Sequence, residues 1–276
     1  MAQAEKIEMC RKAAGQIRKH IIEMTYAAGN LGAHLGGSLS ITEILAALYI
    51  GTLNFRIEDW KWEERDRVIL SKGHAALALY PALAEAGILS KEELHLFKKN
   101  GSRLTAHPSC EGVPGIEFAS GSLGQGLSLG VGVSLALKRK NNFVSRVFVL
   151  LGDGECEEGS VWEAAASASH FQLNQLAAIV DVNRIQYDGF TEEIMGMKPL
   201  AQKWKEFGWH VCEVDGHSIE QLLDAFMVKE EKPLVILANT VKGKGISFME
   251  GNWRFHNARI SQEQYQQAME EWKGVE

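Results

Sequence analysis

Residues 151–155 read Leu151-Gly152-Asp153-Gly154-Glu155, and residues 181–185 read Asp181-Val182-Asn183-Arg184-Ile185. Each follows a short apolar run, at 146–151 and 176–182, with the length of a buried strand. The stretch 155–182 between Gly154 and Asn183 is long enough for one crossover helix and one strand. That spacing predicts Asp153 and Asn183 at the ends of neighbouring parallel strands, at the carboxyl edge where open α/β sheets bind ligands. Asp153 offers a hard anionic oxygen and Asn183 a neutral amide oxygen, the donors that Mg²⁺ takes alongside phosphate oxygens and water. Gly152 and Gly154 let the backbone come close to a phosphate. A helix starting near Glu158 adds its N-terminal dipole. Gly-Asp-Gly alone is ordinary turn chemistry; Asn183 at this distance turns the reading towards a metal-diphosphate site.

The same alternation extends in both directions. Upstream lie a helix over 4–28 ended by Gly29 and Asn30, a helix over 40–49, a strand over 67–71 and a helix over 75–86. Ser40 and Glu43 have the spacing of a capping box. A helical segment over 89–100 carries Ser90 as its cap and Glu93 at the third position. Periodicity then disappears from 104 to 126, a glycine-rich stretch with Pro108 and Pro114. An irregular segment of that length inside a domain is usually functional. A small-residue helix follows over 124–139. Downstream, strands at 209–214 and 234–239 alternate with helices near 158–170, 199–207 and 218–228. The expected fold class is α/β: a parallel sheet with helices on both faces. Residues 1–276 read as a single domain with an N-terminal helical extension.

Composition narrows the function classes. The chain has 276 residues, 46% of them hydrophobic, and a formal net charge of −6. An acidic balance speaks against nucleic acid and against an anionic membrane surface as partners. Cys10, Cys110, Cys156 and Cys212 are widely spaced, without a Cys-x-x-Cys pair, which disfavours a disulfide framework or a zinc site. The first residues lack an apolar signal core. The longest mostly apolar stretch, 127–137, is too short to span a bilayer. A soluble cytoplasmic protein is expected.

His20, His95, His170, His210 and His217 read as surface or structural residues. His34 (Gly32-Ala-His34-Leu-Gly-Gly-Ser38), His74 (Ser71-Lys-Gly-His74) and His107 (Leu104-Thr-Ala-His107-Pro) stand apart, each in a loop marked by Gly or Pro.

Taken in order, these segments resemble the thiamine diphosphate-binding half of the transketolase family. The Gly152-Asp153-Gly154 to Asn183 spacing is similar to the thiamine diphosphate motif. Three histidine loops match, as does the cofactor loop from Gly115 to Gly126, and matches run from about residue 30 to 256. The resemblance implies thiamine diphosphate as cofactor and Mg²⁺, or Ca²⁺ or Mn²⁺, held by Asp153, Asn183 and the Ile185 carbonyl. It places Gly152, Gly154, Gly121, Leu123, Gln125, Glu158 and His74 around the cofactor, with Lys242 of Val241-Lys-Gly-Lys-Gly245 near the diphosphate. It casts His34, His74, His107 and His256 as catalytic residues lining the path of a sugar substrate. His256 sits between Phe255 and Asn257, where the family commonly has Trp or Val before the histidine and Gly after it. It also casts Glu158 as a contact to the acid that activates the cofactor across a subunit interface.

In the family that acid comes from a pyrimidine-binding domain, which normally follows in the same chain. The sequence ends at Glu276, so the resemblance implies a separate partner subunit in an α2β2 enzyme that is inactive without it. The expected activity is transfer of a two-carbon ketol unit from a ketose, such as a sugar phosphate, to an aldose. The alternatives are a subunit of another thiamine diphosphate enzyme, a 2-oxoacid dehydrogenase component or a deoxyxylulose phosphate synthase, and a non-catalytic regulatory module of the same fold.

Overall fold

Five segments pair in parallel in a computed structural model that describes residues 2–273. They are β1 (Arg67–Leu70), β2 (Val147–Gly152), β3 (Leu176–Val182), β4 (His210–Asp215) and β5 (Leu234–Asn239), in the order β1-β2-β3-β5-β4. Successive side chains on a strand point to opposite faces, and the two faces bury different sets. Leu70, Phe148, Leu150, Ala177, Ile179 and Ile236 join one core; Ile69, Val147, Val149, Ala178, Val180 and Val235 join the other. The central strands must therefore be apolar throughout, as their near-continuous burial shows. The edge strand β4 is only half-buried.

The first core is covered by α1 (Gln3–Ala28), α3 (Thr42–Tyr49), α4 (Ala76–Glu85) and α9 (Ile219–Phe226). The four-residue α2 (Gly36–Leu39) precedes α3. The second core is covered by α5 (Gln125–Arg139) and α6 (Gly159–His170), with Trp204 of α8 (Leu200–Glu206). The small residues of α5 allow close approach: a Cβ on Gly130 would stand 2.5 Å from a Val149 methyl on β2. The short α7 (Thr191–Met195) and the terminal α10 (Gln262–Lys273) complete the set. None of the described helices is long and apolar enough to cross a membrane.

Two local expectations fail. Ser40 does not cap a helix: α3 starts at Thr42 behind Ile41, which makes no side-chain cap bond. The Ser40 hydroxyl instead donates to Asp181 Oδ2 at 2.7 Å, and Glu43 is turned inward to Arg18 and His217. A buried carboxylate across the core outcompetes a local cap because each buried charge needs a charged or donating partner. The segment after Leu89 is a 3-10 helix over Lys91–Leu96 rather than one reaching residue 100. Ser90 does cap it, accepting from the Glu92 N–H, while Glu93 leaves the turn to pair with Arg103. α2, α7 and α10 carry no clear apolar period in the sequence; α10 buries only Ala268.

Candidate active site

The register between β2 and β3 sets Gly152 opposite Asp181. Asp153 and Asn183 leave their strands one and two residues later, side by side at the carboxyl edge, as the spacing predicts. The Asp153 N–H donates to the Asp181 carbonyl at 3.1 Å and locks the two strand ends together. The Asp153 carboxylate takes the N–H of Gly154 at 2.9 Å on one oxygen and that of Arg184 at 2.6 Å on the other. Burial and the neighbouring Asp181 push its pKa up to about 6. The Asn183 amide N donates to Asp181 Oδ2 at 2.7 Å, which aims its oxygen the other way, where it accepts the Ile185 N–H at 3.1 Å.

Beneath these groups lies a polar cluster centred on Asp181. Its Oδ2 accepts from Ser40, from Lys72 at 2.5 Å and from Asn183, while Oδ1 accepts from Thr240. Burial alone would raise the Asp181 pKa; Lys72 and the hydroxyl donors outweigh it and hold the carboxyl down. Lys242 sits opposite, with its ammonium 2.5 Å from the Ile185 carbonyl and 2.9 Å from His256 Nδ1. Burial, reinforced by Lys72, lowers its pKa to about 8.

Residues Asp153, Asn183, Ile185, Gly152, Gly154, Leu123, His74, Lys242 and His256 line one cavity of about 360 Å³. Four histidine rings gather in this region. His34 lies 5.3 Å from His74, 5.7 Å from His107 and 5.6 Å from His256, centroid to centroid, and His74 lies 5.1 Å from His256. Backbone pairing explains how such distant segments meet. Ala33 and Ala258 exchange N–H···O bonds at 2.9 and 3.0 Å, so the His34 and His256 loops run side by side. Lys98 donates to the carbonyls of Leu31 and Gly32 at 2.9 and 2.8 Å, and its own N–H bonds Leu104 at 2.8 Å, tying the His34 and His107 loops together. Burial lowers the pKa of His34 to about 4 and of His256 to about 3, nearby cations adding to the effect. His74 falls well below its ordinary value and His107 falls too, for the same first cause. The four rings are therefore neutral at pH 7, each with one N–H donor and one acceptor nitrogen.

Other predicted residues lie apart. Glu158 is exposed at the N-cap position of α6 and Gly121 is exposed in its loop; neither lines the cavity. Gln125 opens α5 and is exposed. His20, His210 and His217 pair with Glu23 and Glu85, Glu230, and Glu43, and the His170 ring packs on Phe171.

Three residues to which the sequence assigns no role hold the site together. Lys72 and Asp181 form the buried pair described above. The third, Glu155, is 2% exposed. Its carboxylate accepts from the Ser71 hydroxyl, from Gly124 N–H at 2.8 Å and from Gly152 N–H at 3.1 Å. It thereby joins the His74 loop, the cofactor-loop segment and the strand end. A charged residue near the end of the apolar run 176–182 is a signal for a buried counter-ion, and Lys72, two residues before His74, is a cation close enough to a strand end to supply it.

Comparison with known proteins agrees with this geometry. A family model described as "Transketolase, thiamine diphosphate binding domain" matches residues 11–276. The chain is 42% identical, over 94% of each sequence, to a protein of Clostridium sp. (strain MSTE9) named 6-deoxy-6-sulfo-D-fructose transketolase subunit SqwG. It is 40% identical, over 92% of this chain and 90% of the relative, to a protein of Phocaeicola vulgatus named as one subunit of an apulose-4-phosphate transketolase. The solved transketolase of Campylobacter jejuni superposes with a TM-score of 0.89 at 28% identity, over 97% of this chain and 43% of that one. Among the thiamine diphosphate enzymes open at the level of sequence, these matches select one. The chain belongs to the transketolase family and corresponds to its thiamine diphosphate-binding domain.

Proposed function

We propose that this chain is the diphosphate- and metal-binding subunit of a two-subunit transketolase, which moves a two-carbon ketol unit from a ketose donor to an aldose acceptor. The observation that carries the reading is the meeting of Asp153, Asn183 and the Ile185 carbonyl with the histidine cluster at one cavity. Thiamine diphosphate supplies the electron sink on which a carbon–carbon bond beside a ketone is broken.

The donor set fits a divalent cation. Asp153 and Asp181 make a buried acidic spot, the Asp153 oxygens retain lone pairs beyond their two backbone bonds, and a cation already rests on the Ile185 carbonyl in the form of the Lys242 ammonium. Among the described residues no group of three or more His, Cys, Asp or Glu is placed to cage a metal. That favours Mg²⁺, or Ca²⁺ or Mn²⁺, held by Asp153, Asn183 and Ile185 and sharing its remaining positions with diphosphate and water. Gly152 and Gly154 present backbone to the cavity that takes the phosphate, Lys242 contributes charge to it, and Leu123, with Gly121 two residues before it, lies on the cofactor loop.

The neutral histidines serve the sugar. His34, His74, His107 and His256 can each donate to or accept from a hydroxyl, and can pass a proton to or from the donor and acceptor oxygens. Glu158, exposed beside the cofactor loop, faces a partner subunit that carries the pyrimidine-binding domain and the activating acid. Two relatives are named as subunits of transketolases, which supports a separately encoded partner; the same reading takes the assembly as α2β2 and its place of work as the cytoplasm. Their sulfonated and phosphorylated ketoses define the first donors to screen.

The experiment is reconstitution. The purified chain with thiamine diphosphate and MgCl₂ is assayed for ketol transfer with and without a pyrimidine-binding polypeptide. Activity only in the mixture is expected; robust turnover by the chain alone would sink the two-subunit reading.

A further inference from the structure

Three polar side chains outside the cavity lining converge on the turn that carries Lys242. Arg18 of α1 and Glu43 of α3 are each 9% exposed, and His217 precedes α9. One Glu43 oxygen pairs with Arg18; the other lies 2.9 Å from His217 Nδ1. Arg18 also donates to Thr42 Oγ1 at 2.8 Å and, through Nε, to the Lys244 carbonyl at 3.1 Å. His217 Nε2 takes the Val241 N–H at 2.9 Å.

The chemistry of these contacts fixes the protonation. A backbone N–H only donates, so Nε2 of His217 is the acceptor and the ring proton sits on Nδ1, facing Glu43. Burial works to raise the Glu43 pKa, but Arg18 and His217 outweigh it and hold the carboxyl at about 2, so the acid is ionised. One carboxylate thus anchors two side chains, which grip the turn at 241 and at 244, on either side of Lys242. The fit is close: Gly245 has φ +88, and a Cβ there would stand 2.5 Å from Arg18 Nε. The turn is also held by Gly243 N–H to the Gly36 carbonyl at 3.0 Å, by Gly251 N–H to the Lys242 carbonyl at 2.9 Å, and by Gly245 N–H to the Glu250 carboxylate at 2.9 Å.

We propose that Arg18, Glu43 and His217 are positioning residues for Lys242, setting the turn so that its ammonium is delivered to the Ile185 carbonyl and His256 at the diphosphate end of the cofactor site. The inference rests on the reading of Lys242 as a diphosphate-side residue. None of the three lines the cavity; they act on the cofactor only through the turn.

A double-mutant cycle tests it. Binding of thiamine diphosphate in MgCl₂ is measured by titration calorimetry on the full chain, for wild type, His217→Phe, His217→Gln, Lys242→Met and His217→Phe/Lys242→Met. Loss of the hydrogen-bonded grip is expected to weaken binding about 10-fold in His217→Phe. Glutamine, whose side-chain oxygen reaches the Nε2 position, restores most of it. The double variant binds no worse than Lys242→Met alone, because His217 acts through Lys242. Thermal midpoints accompany each measurement; if His217→Phe does not fold, the milder His217→Asn, which keeps the Glu43 contact and loses Val241, takes its place. An undiminished loss in the Lys242→Met background, or wild-type binding by His217→Phe, overturns the positioning role. Wild-type binding by Lys242→Met is a separate pattern: it overturns the reading of Lys242 itself, and the inference with it.

Discussion

The ammonium of Lys72 lies 2.5 Å from Oδ2 of Asp181, and neither side chain is more than 2% exposed. Removing one member of such a pair leaves a buried charge without compensation, which costs ~3–5 kcal/mol. Lys72→Met is therefore expected to lower stability by that order in urea denaturation. The double variant Lys72→Met/Asp181→Leu recovers part of the loss, although Ser40, Thr240 and Asn183 then lose the acceptor they now share. Equal stability of Lys72→Met and wild type would show that the other donors suffice to hold Asp181.

That pair also marks where the sequence stops being legible. The sheet is readable because β2, β3 and β5 are near-continuous apolar runs, and the metal-type donors because Asp153 and Asn183 follow such runs at a spacing that fits one crossover helix between neighbouring parallel strands. The histidines are legible as loop residues, but their meeting depends on pairings between distant segments, such as Ala33 with Ala258 and Lys98 with Leu31. No local pattern encodes these. Ser40 and Glu43 are misread, and Glu155 passes unremarked, for one shared reason: caps are local solutions, and each of these side chains instead satisfies a buried partner far away in the chain.

Glu155 gives the second prediction. Its two oxygens receive the Ser71 hydroxyl and two backbone N–H groups. An amide in its place turns an NH₂ towards at least one of those donors, leaving it unsatisfied at a cost of ~1–3 kcal/mol. The side-chain oxygen stays with Ser71 and Gly124, so the NH₂ faces Gly152; Glu155→Gln should lower stability by that order in urea denaturation and loosen the strand end, read as faster hydrogen exchange of the Gly152 amide. An unchanged exchange rate would contradict the bridging role.

The buried histidines predict a pH dependence. His34 has its pKa lowered to about 4 in the fold, against about 6.5 in an unfolded chain. Between those values the unfolded state binds the extra proton, so stability rises with pH through this window and is lost as pH falls. The ring is partly open to solvent, which reduces the full linkage value to on the order of 2 kcal/mol. Thermal midpoints taken from pH 7 to pH 4 should fall, and should fall less steeply in His34→Asn. Parallel curves for the two proteins would rule His34 out as a contributor.

Asp153 separates stability from binding. Its carboxylate is buried beside Asp181, and both causes penalise the ionised form, as the upward shift to about 6 records. In the absence of metal, Asp153→Asn removes that penalty but keeps an oxygen for only one of the Gly154 and Arg184 N–H groups, its NH₂ facing the other. The relieved charge and the unsatisfied N–H are of similar size, so the variant should stay within ~1–2 kcal/mol of wild type in stability. The same change removes the anionic oxygen that a hard cation needs. Thiamine diphosphate binding by Asp153→Asn should lose its dependence on Mg²⁺, whereas adding EDTA to wild type should weaken binding to the level of the variant. A variant that still binds thiamine diphosphate in a Mg²⁺-dependent way would assign the cation to other oxygens.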